Sequence, residues 1–175
     1  GSQDRVAAWM PNVPETIVAM IATSILGATF TSTSPDFGVA GVLDRFGQVK
    51  PTVLIAADGY VYANRRHTRL DRLSEVVAGL PSLEAVIVHG ELEEEPDLGR
   101  VREGNRGLPI VTLDQAVEAG RRAAQGGFGA DPDALYPFDH PLYILYSSGT
   151  TGVPKCIVHR AGGLLVKHVV EQQLH

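Results

Sequence analysis

Apolar residues along this chain fall into short dense runs that alternate with longer stretches of helical spacing. Arg5-Val6-Ala7-Ala8-Trp9-Met10 is a compact run ended by Pro11 and Asn12, and predicts a buried strand. Pro14 suits the first turn of a helix, with Glu15 beside it near the positive end of the dipole. Ile17, Ile21 and Ile25 then recur every four residues, with Val18, Met20 and Leu26 beside them, predicting a largely buried helix that ends near Gly27. Ala28 to Ser32 is β-rich and closes at Ser34-Pro35. Val39, Val42, Leu43 and Phe46 predict an amphipathic helix stopped by Gly47 and Pro51. Thr52 to Ala57 follows as a strand broken at Asp58-Gly59. Leu70, Leu73, Val76, Val77 and Leu80 mark a helix, and Leu83 to Val88 another strand.

The pattern then loosens. Glu91 to Gly107 is charged and interrupted by Pro96, Gly99 and Gly104, and predicts an exposed loop. Ile110 to Leu113 predicts a short strand and Leu113 to Arg122 a short helix. Gln125 to Pro137 is rich in Gly, Pro and Asp, a linker or long crossover. Beyond it, Leu142 to Tyr146 and Cys156 to His159 are strand-like, and Gly163 to Leu174 is helical. Strands alternating with amphipathic helices through short turns define an α/β fold, a mainly parallel sheet flanked by helices. The expected organisation is an α/β subdomain over 1–124, a linker or crossover over 125–141, and the start of a second subdomain over 142–175.

Composition narrows the function classes. With 175 residues, 44% hydrophobic and 20% charged, the chain has enough apolar material for a real core. Its net charge of -5 disfavours a nucleic-acid partner, which needs clustered Lys and Arg. The single cysteine, Cys156, forms no internal disulfide. The apolar stretch Ile17 to Phe30 is interrupted by Thr23 and Ser24 and is shorter than the ~20 residues of a membrane span. Gly1-Ser2-Gln3-Asp4 lacks the order of a signal peptide. The expectation is a cytoplasmic protein with no membrane partner.

The candidate chemistry lies between the last two strands. Tyr146 is followed by Ser147-Ser148-Gly149-Thr150-Thr151-Gly152-Val153-Pro154-Lys155. Four hydroxyls, two glycines and a lysine within nine residues make an anion cradle: glycine lets backbone amides approach a ligand, hydroxyls donate, and Lys155 adds charge. A flexible connector would share the composition, but not the donor density after a buried strand. A Walker A loop is excluded. Counted from Gly149, its second glycine falls on Pro154 and its final hydroxyl on Cys156, and β-like residues follow Lys155.

The nine residues 147–155 instead match, position for position, the phosphate loop of the adenylate-forming superfamily, the acyl-CoA synthetases and their relatives. Cys156 stands where that family usually has Gly or Ala. The resemblance runs through Asp4-Arg5-Val6, Pro11 to Glu15 and Leu26-Gly27-Ala28. It narrows towards the acetoacetyl-CoA synthetases at Ser34 to Val39, Val42 to Phe46, Ala57 to Tyr60, Phe138 to Leu142 and Ile157 to His159. It implies a partial large N-terminal domain of a two-step ligase, in which a carboxylate attacks the α-phosphorus of ATP and coenzyme A then displaces AMP. By this resemblance Ser147, Ser148, Gly149, Thr150, Thr151 and Gly152 embrace the β- and γ-phosphates with Mg2+, and Lys155 adds a looser contact. No catalytic residue is assigned within these residues. The family's adenine, ribose and C-terminal lysine motifs are absent from them, so the chain is expected to be a fragment, inactive alone. Acetoacetate is the implied acid. Acetyl- or other short-chain acyl-CoA synthesis, or a non-catalytic nucleotide-binding module, are the alternatives.

Lesser candidates have bland counterparts. Arg65 and Arg66 resemble a coenzyme A-binding segment of acetyl-CoA synthetases, or form a solvated basic turn. Asp36-Phe37-Gly38 is a helix-capping turn rather than a kinase metal motif. Glu91, Glu93, Glu94, Glu95 and Asp97 lack calcium-loop spacing. His140, His159 and His168 lack metal-ligand spacing, so no metal site is assigned. Cys156 is either a thiol of lowered pKa beside Lys155 or a strand-packing thiol.

Overall fold

A computed structural model describes residues 4–105, 107–127, 129–131, 133–147 and 152–174. The chain runs β1 (Arg5–Trp9), α1 (Pro14–Ile25), β2 (Thr29–Thr33), α2 (Val39–Val49), β3 (Val53–Ala57), β4 (Gly59–Tyr62), β5 (Arg65–Thr68), α3 (Leu70–Ala78) and β6 (Ala85–His89). It continues through α4 (Gly99–Gly104), β7 (Ile110–Thr112), α5 (Leu113–Gln125), β8 (Pro141–Tyr146), β9 (Cys156–Arg160) and α6 (Ala161–Leu174). The main sheet has the order β7-β6-β3-β1-β2-β8-β9, parallel except for β9, which runs antiparallel to β8. Because β2 and β3 flank β1 on opposite sides, the sheet reverses its winding at β1. Crevices for ligands open at the carboxyl edge of such a switch point.

The core divides by strand alternation. Ala7 and Trp9 of β1 and Leu54 and Ala56 of β3 pack with Val42 and Phe46 of α2 and Leu73, Val76 and Val77 of α3. Ala8, Ile55 and Ala57 face the other way, towards Ala19 and Met20 of α1. α5 is fixed at its start by a capping box, with reciprocal bonds between Thr112 and Gln115.

Four expectations change. α1 is not largely buried: Ile17, Ile21 and Ile25 are 48%, 50% and 52% exposed, and only Thr23 is fully enclosed. The helix is apolar nearly all round, and the sheet covers one side of it. α2 runs through Gly47 and ends where Lys50 adopts φ 53°, since one exposed glycine does not outweigh the buried stripe of Val42, Phe46 and Val49. The segment 91–107 is not all loop. It contains α4, and Leu98 and Val101 are buried against the α2–α3 side of the sheet. The helix after residue 38 is capped by Gly38 with no side-chain cap, so Asp36 is a turn residue and not a cap.

A fifth difference is an element with no counterpart in the hydrophobic pattern. β4 and β5 form an antiparallel hairpin, pairing Tyr62 with Arg65 across Ala63 and Asn64. Both turn residues have positive φ, 49° and 59°, the signature of a tight two-residue connection. Asn tolerates this region more readily than Ala does, so Ala63→Gly is expected to raise stability by about 0.5–1 kcal/mol in urea denaturation. No gain would show that the turn is unstrained.

The 125–141 segment brings β8 to β2. The Tyr136 hydroxyl donates to Ile25 O (3.3 Å), its ring stacks on His140 at 4.7 Å, and His140 Nε2 lies 2.9 Å from Gly27 O. Gly27 has φ 68°, and a Cβ there would strike the Tyr136 ring. Among the described residues no helix is long and apolar enough to cross a membrane.

Candidate functional site

Among the described residues, two neighbouring clefts at the carboxyl edge of the parallel strands share Ser34. One, of about 420 Å³, lies between the end of β2, α2 and the end of β8, with Thr33, Phe37, Arg45, Tyr146 and Ser147 in its walls. The other, of about 650 Å³, lies between the turns after β1 and β2 and the β4–β5 hairpin, and includes Asn12, Asp36, Tyr60 and Tyr62.

The Ser147–Lys155 run begins at the first cleft. Ser147 N donates to Lys155 O (3.0 Å), and Lys155 N donates to Ser147 Oγ (3.2 Å), so the two ends of the run are tied together. Gln48, at the end of α2, donates to Pro154 O (2.9 Å) and accepts from Cys156 Sγ (3.7 Å), holding the outgoing strand against the helix. Gly152 has φ 143°, a conformation that side chains disfavour. Lys155 is exposed, and no acidic partner for it is present among the described residues. Ser148, Gly149, Thr150 and Thr151 lie outside the described residues.

Tyr146 anchors the base of the loop. The Thr31 hydroxyl is 2.8 Å from both the Tyr146 phenol oxygen and Ile144 O. Burial pushes the phenol up to about 12. Since the folded value lies above the ordinary one near 10, this contribution to stability is complete below about pH 10 and is lost as pH rises towards 12. Tyr146→Phe should therefore flatten the alkaline limb of the stability profile between about pH 10 and 12; an unchanged slope would contradict it.

Cys156 does not have a lowered pKa. Burial pushes its thiol up, against activation by the neighbouring Lys155, and Sγ lies 3.7 Å from Gln48 Oε1. His159 packs against Tyr143, with ring centroids 5.2 Å apart. No group of three His, Cys, Asp or Glu that would hold a metal ion occurs among the described residues.

Arg65 and Arg66 are not in a turn. They lie on β5, whose hairpin carries Tyr60 and Tyr62 into the larger cleft. Arg66 is held by the Glu93 carboxylate and donates to Leu92 O (2.6 Å), whereas Arg65 has no acidic partner among the described residues. No described contact joins either arginine to the 147–155 run.

The hydrophobic pattern does not reveal the polar frame beneath the hairpin. Asp58 is 3% exposed, and its carboxylate accepts the amides of Glu91, Leu92 and Glu93, each at 2.9 Å. Arg69, also buried, donates to Pro35 O and to the Tyr60 hydroxyl, both at 2.8 Å, with its guanidinium 4.8 Å from the Tyr60 ring centre. Three loops around the larger cleft are thereby tied to one another. The Asp58-Gly59 pair is the visible signal: a Cβ on Gly59 would collide with Leu92 and with His67 O, so Gly permits the close approach.

With this geometry in place, comparison with known proteins is specific. The AMP-binding enzyme family matches residues 1–173. The chain is 42% identical to the acetoacetyl-CoA synthetase of Xenopus tropicalis over 98% of its length and 45% identical to that of Rhizobium meliloti over 100%. It is 41% identical to a malonamoyl-CoA synthetase of Penicillium aethiopicum over 98%. A solved acetoacetyl-CoA synthetase from Streptomyces lividans superimposes with a TM-score of 0.79 at 41% identity, covering 97% of this chain and 24% of that one. The chain spans about a quarter of the length of the relatives it matches.

Proposed function

Because the chain belongs to the AMP-binding enzyme family, we propose that it is the phosphate-loop portion of an ATP-dependent acyl-CoA synthetase acting on acetoacetate. The observation that carries this is the Ser147–Lys155 run, tied at its ends and set at the carboxyl edge of a parallel sheet. In the first step an acetoacetate oxygen attacks the α-phosphorus of ATP, and pyrophosphate leaves with the bonding electron pair. In the second, the coenzyme A thiol attacks the acyl carbon, AMP leaves, and the thiol proton is released.

For the first step, Ser147, Ser148, Gly149, Thr150, Thr151 and Gly152 hold the β- and γ-phosphates, and Lys155 offsets charge that builds on the leaving pyrophosphate. Preorganised donors of this kind lower the barrier without reorganising during the reaction. Magnesium enters with ATP as part of the substrate; no carboxylate set for it exists among the described residues. The relatives' names point to short acids with a carbonyl two carbons from the carboxylate carbon. The remaining chemistry belongs to a longer polypeptide, given the quarter-length match, and this chain alone is expected to be inactive. The compartment proposed is the cytoplasm.

Arg65 is the better coenzyme A candidate of the pair, because Arg66 is already engaged by Glu93. Arg65→Glu in the complete polypeptide should raise the coenzyme A KM about tenfold and leave ATP–pyrophosphate exchange unchanged; an unaltered KM refutes the contact.

Acid-dependent ATP–pyrophosphate exchange by the complete polypeptide tests the function, with acetoacetate, malonamate and acetate compared. Exchange greatest with acetoacetate is the expected result. ATP binding without exchange for any acid would replace the ligase with a nucleotide-binding module.

A further inference from the structure

Two buried side-chain atoms have no hydrogen-bond partner among the described residues: the Trp9 indole Nε1 and the Thr33 hydroxyl. They are not scattered. Trp9 and Thr33 are register partners on adjacent strands, each at the last residue of its strand. Thr33 shares a face with Thr31, which meets Tyr146, and Trp9 packs with Val42 and Phe46 of α2. Both side chains therefore lie on the α2 face of the sheet, where the smaller cleft opens. Thr33 is 7% exposed and lines that cleft. An uncompensated buried hydroxyl costs free energy unless something outside the described residues satisfies it.

A cation stands at the same place. The Arg45 guanidinium carbon is 4.1 Å from the Phe37 ring centre and 5.8 Å from that of Tyr146, and Nη1 donates to Gly41 O (2.8 Å). No carboxylate pairs with it among the described residues. Arg45 thus combines a held position, remaining donors and an unneutralised charge beside a buried hydroxyl with no partner. The planar fork of arginine suits phosphoryl oxygens.

We propose that the cleft between β2, β8 and α2 is a phosphoryl-oxygen subsite, with Thr33 and Arg45 taking oxygens of a phosphorylated reactant beside Ser147. The nature of that reactant rests on the ligase function proposed above. Its source is either the nucleotide polyphosphate or the pyrophosphate of coenzyme A. The Thr33 hydroxyl is thereby reserved for ligand, at a cost to the ligand-free fold.

That trade-off supplies a test that an ordinary packing residue would fail. In the complete polypeptide, Thr33→Val should leave the ligand-free melting temperature unchanged or higher, because the hydroxyl it removes has no partner. The same variant, and Arg45→Gln, should weaken binding of a phosphorylated probe about tenfold, and Thr33→Ser should restore it. The probes are inorganic pyrophosphate, ATP and coenzyme A, titrated calorimetrically. Weakened pyrophosphate and ATP binding assigns the subsite to the nucleotide; weakened coenzyme A binding alone assigns it to the thiol substrate. Wild-type affinity for all three in both variants overturns the subsite, as does a lowered melting temperature in ligand-free Thr33→Val. Lys155→Ala separates the two proposals. If it weakens ATP binding while the Thr33 and Arg45 variants bind normally, the loop stands and the subsite falls. The opposite pattern removes the loop and keeps the subsite, and a wild-type protein that binds no probe removes both.

Discussion

Replacing Thr150 and Thr151 together with valine is expected to slow adenylate formation by about 10²–10³-fold. Valine keeps the branched shape and removes only the hydroxyls. The loss should therefore appear in kcat for the pyrophosphate-forming half-reaction, while the melting temperature stays near wild type. The residues lie between Gly149 and Gly152, within a run whose ends are tied by the Ser147–Lys155 bonds. In the proposed role these hydroxyls would hold the β- and γ-phosphates and gain strength as charge builds on the departing pyrophosphate, whereas water admitted in their place must reorganise. Single-turnover measurement of pyrophosphate release by the complete polypeptide is the check. A decrease of less than tenfold would remove these threonines from phosphate binding.

The second large effect concerns stability. Asp58→Ala should destabilise the fold by about 3–5 kcal/mol, because it removes the acceptor of three amides in a buried setting. Asp58→Asn keeps one oxygen acceptor and should lose less than Asp58→Ala. Urea denaturation of the two variants gives the comparison, and equal losses would show that charge and acceptor count do not matter there. The larger cleft should also loosen. Glu91 lines it and receives its position from Asp58, and Arg69 N donates to Asp58 O (2.7 Å). Hydrogen exchange at residues 90–93 should accelerate in Asp58→Ala before global unfolding.

The elements of the fold were legible wherever burial and period agreed. The apolar runs at residues 5–10, 52–57 and 83–88 became β1, β3 and β6, since strands covered on both faces need no alternation. The β4–β5 hairpin was not legible. Its strands have four residues each, and Val61, Tyr62, Arg65 and Arg66 are exposed, so no core face marks them. Within the candidate site, the Ser147–Lys155 run was visible because its donors are contiguous. Arg45, Thr33 and Gln48 carry no local signal, because they come from β2 and α2, about 100 residues earlier, and meet Ser147 or Pro154 only when β8 pairs with β2.

The α1 helix shows the same limit from the other side. Its isoleucines announce a helix and an apolar surface, yet spacing alone cannot say which side meets the sheet. Ala19 and Met20 do so, and Ile17, Ile21 and Ile25 face outward. Residues close together in the chain were therefore enough to give the α/β class, the strand and helix order in outline, and the family to which the Ser147–Lys155 run points. Tertiary structure alone decided which faces are covered, which carboxylate supports the cleft, and which distant arginine and threonine stand beside the loop. Those outcomes depend on strand order and register, and chain order does not encode them locally.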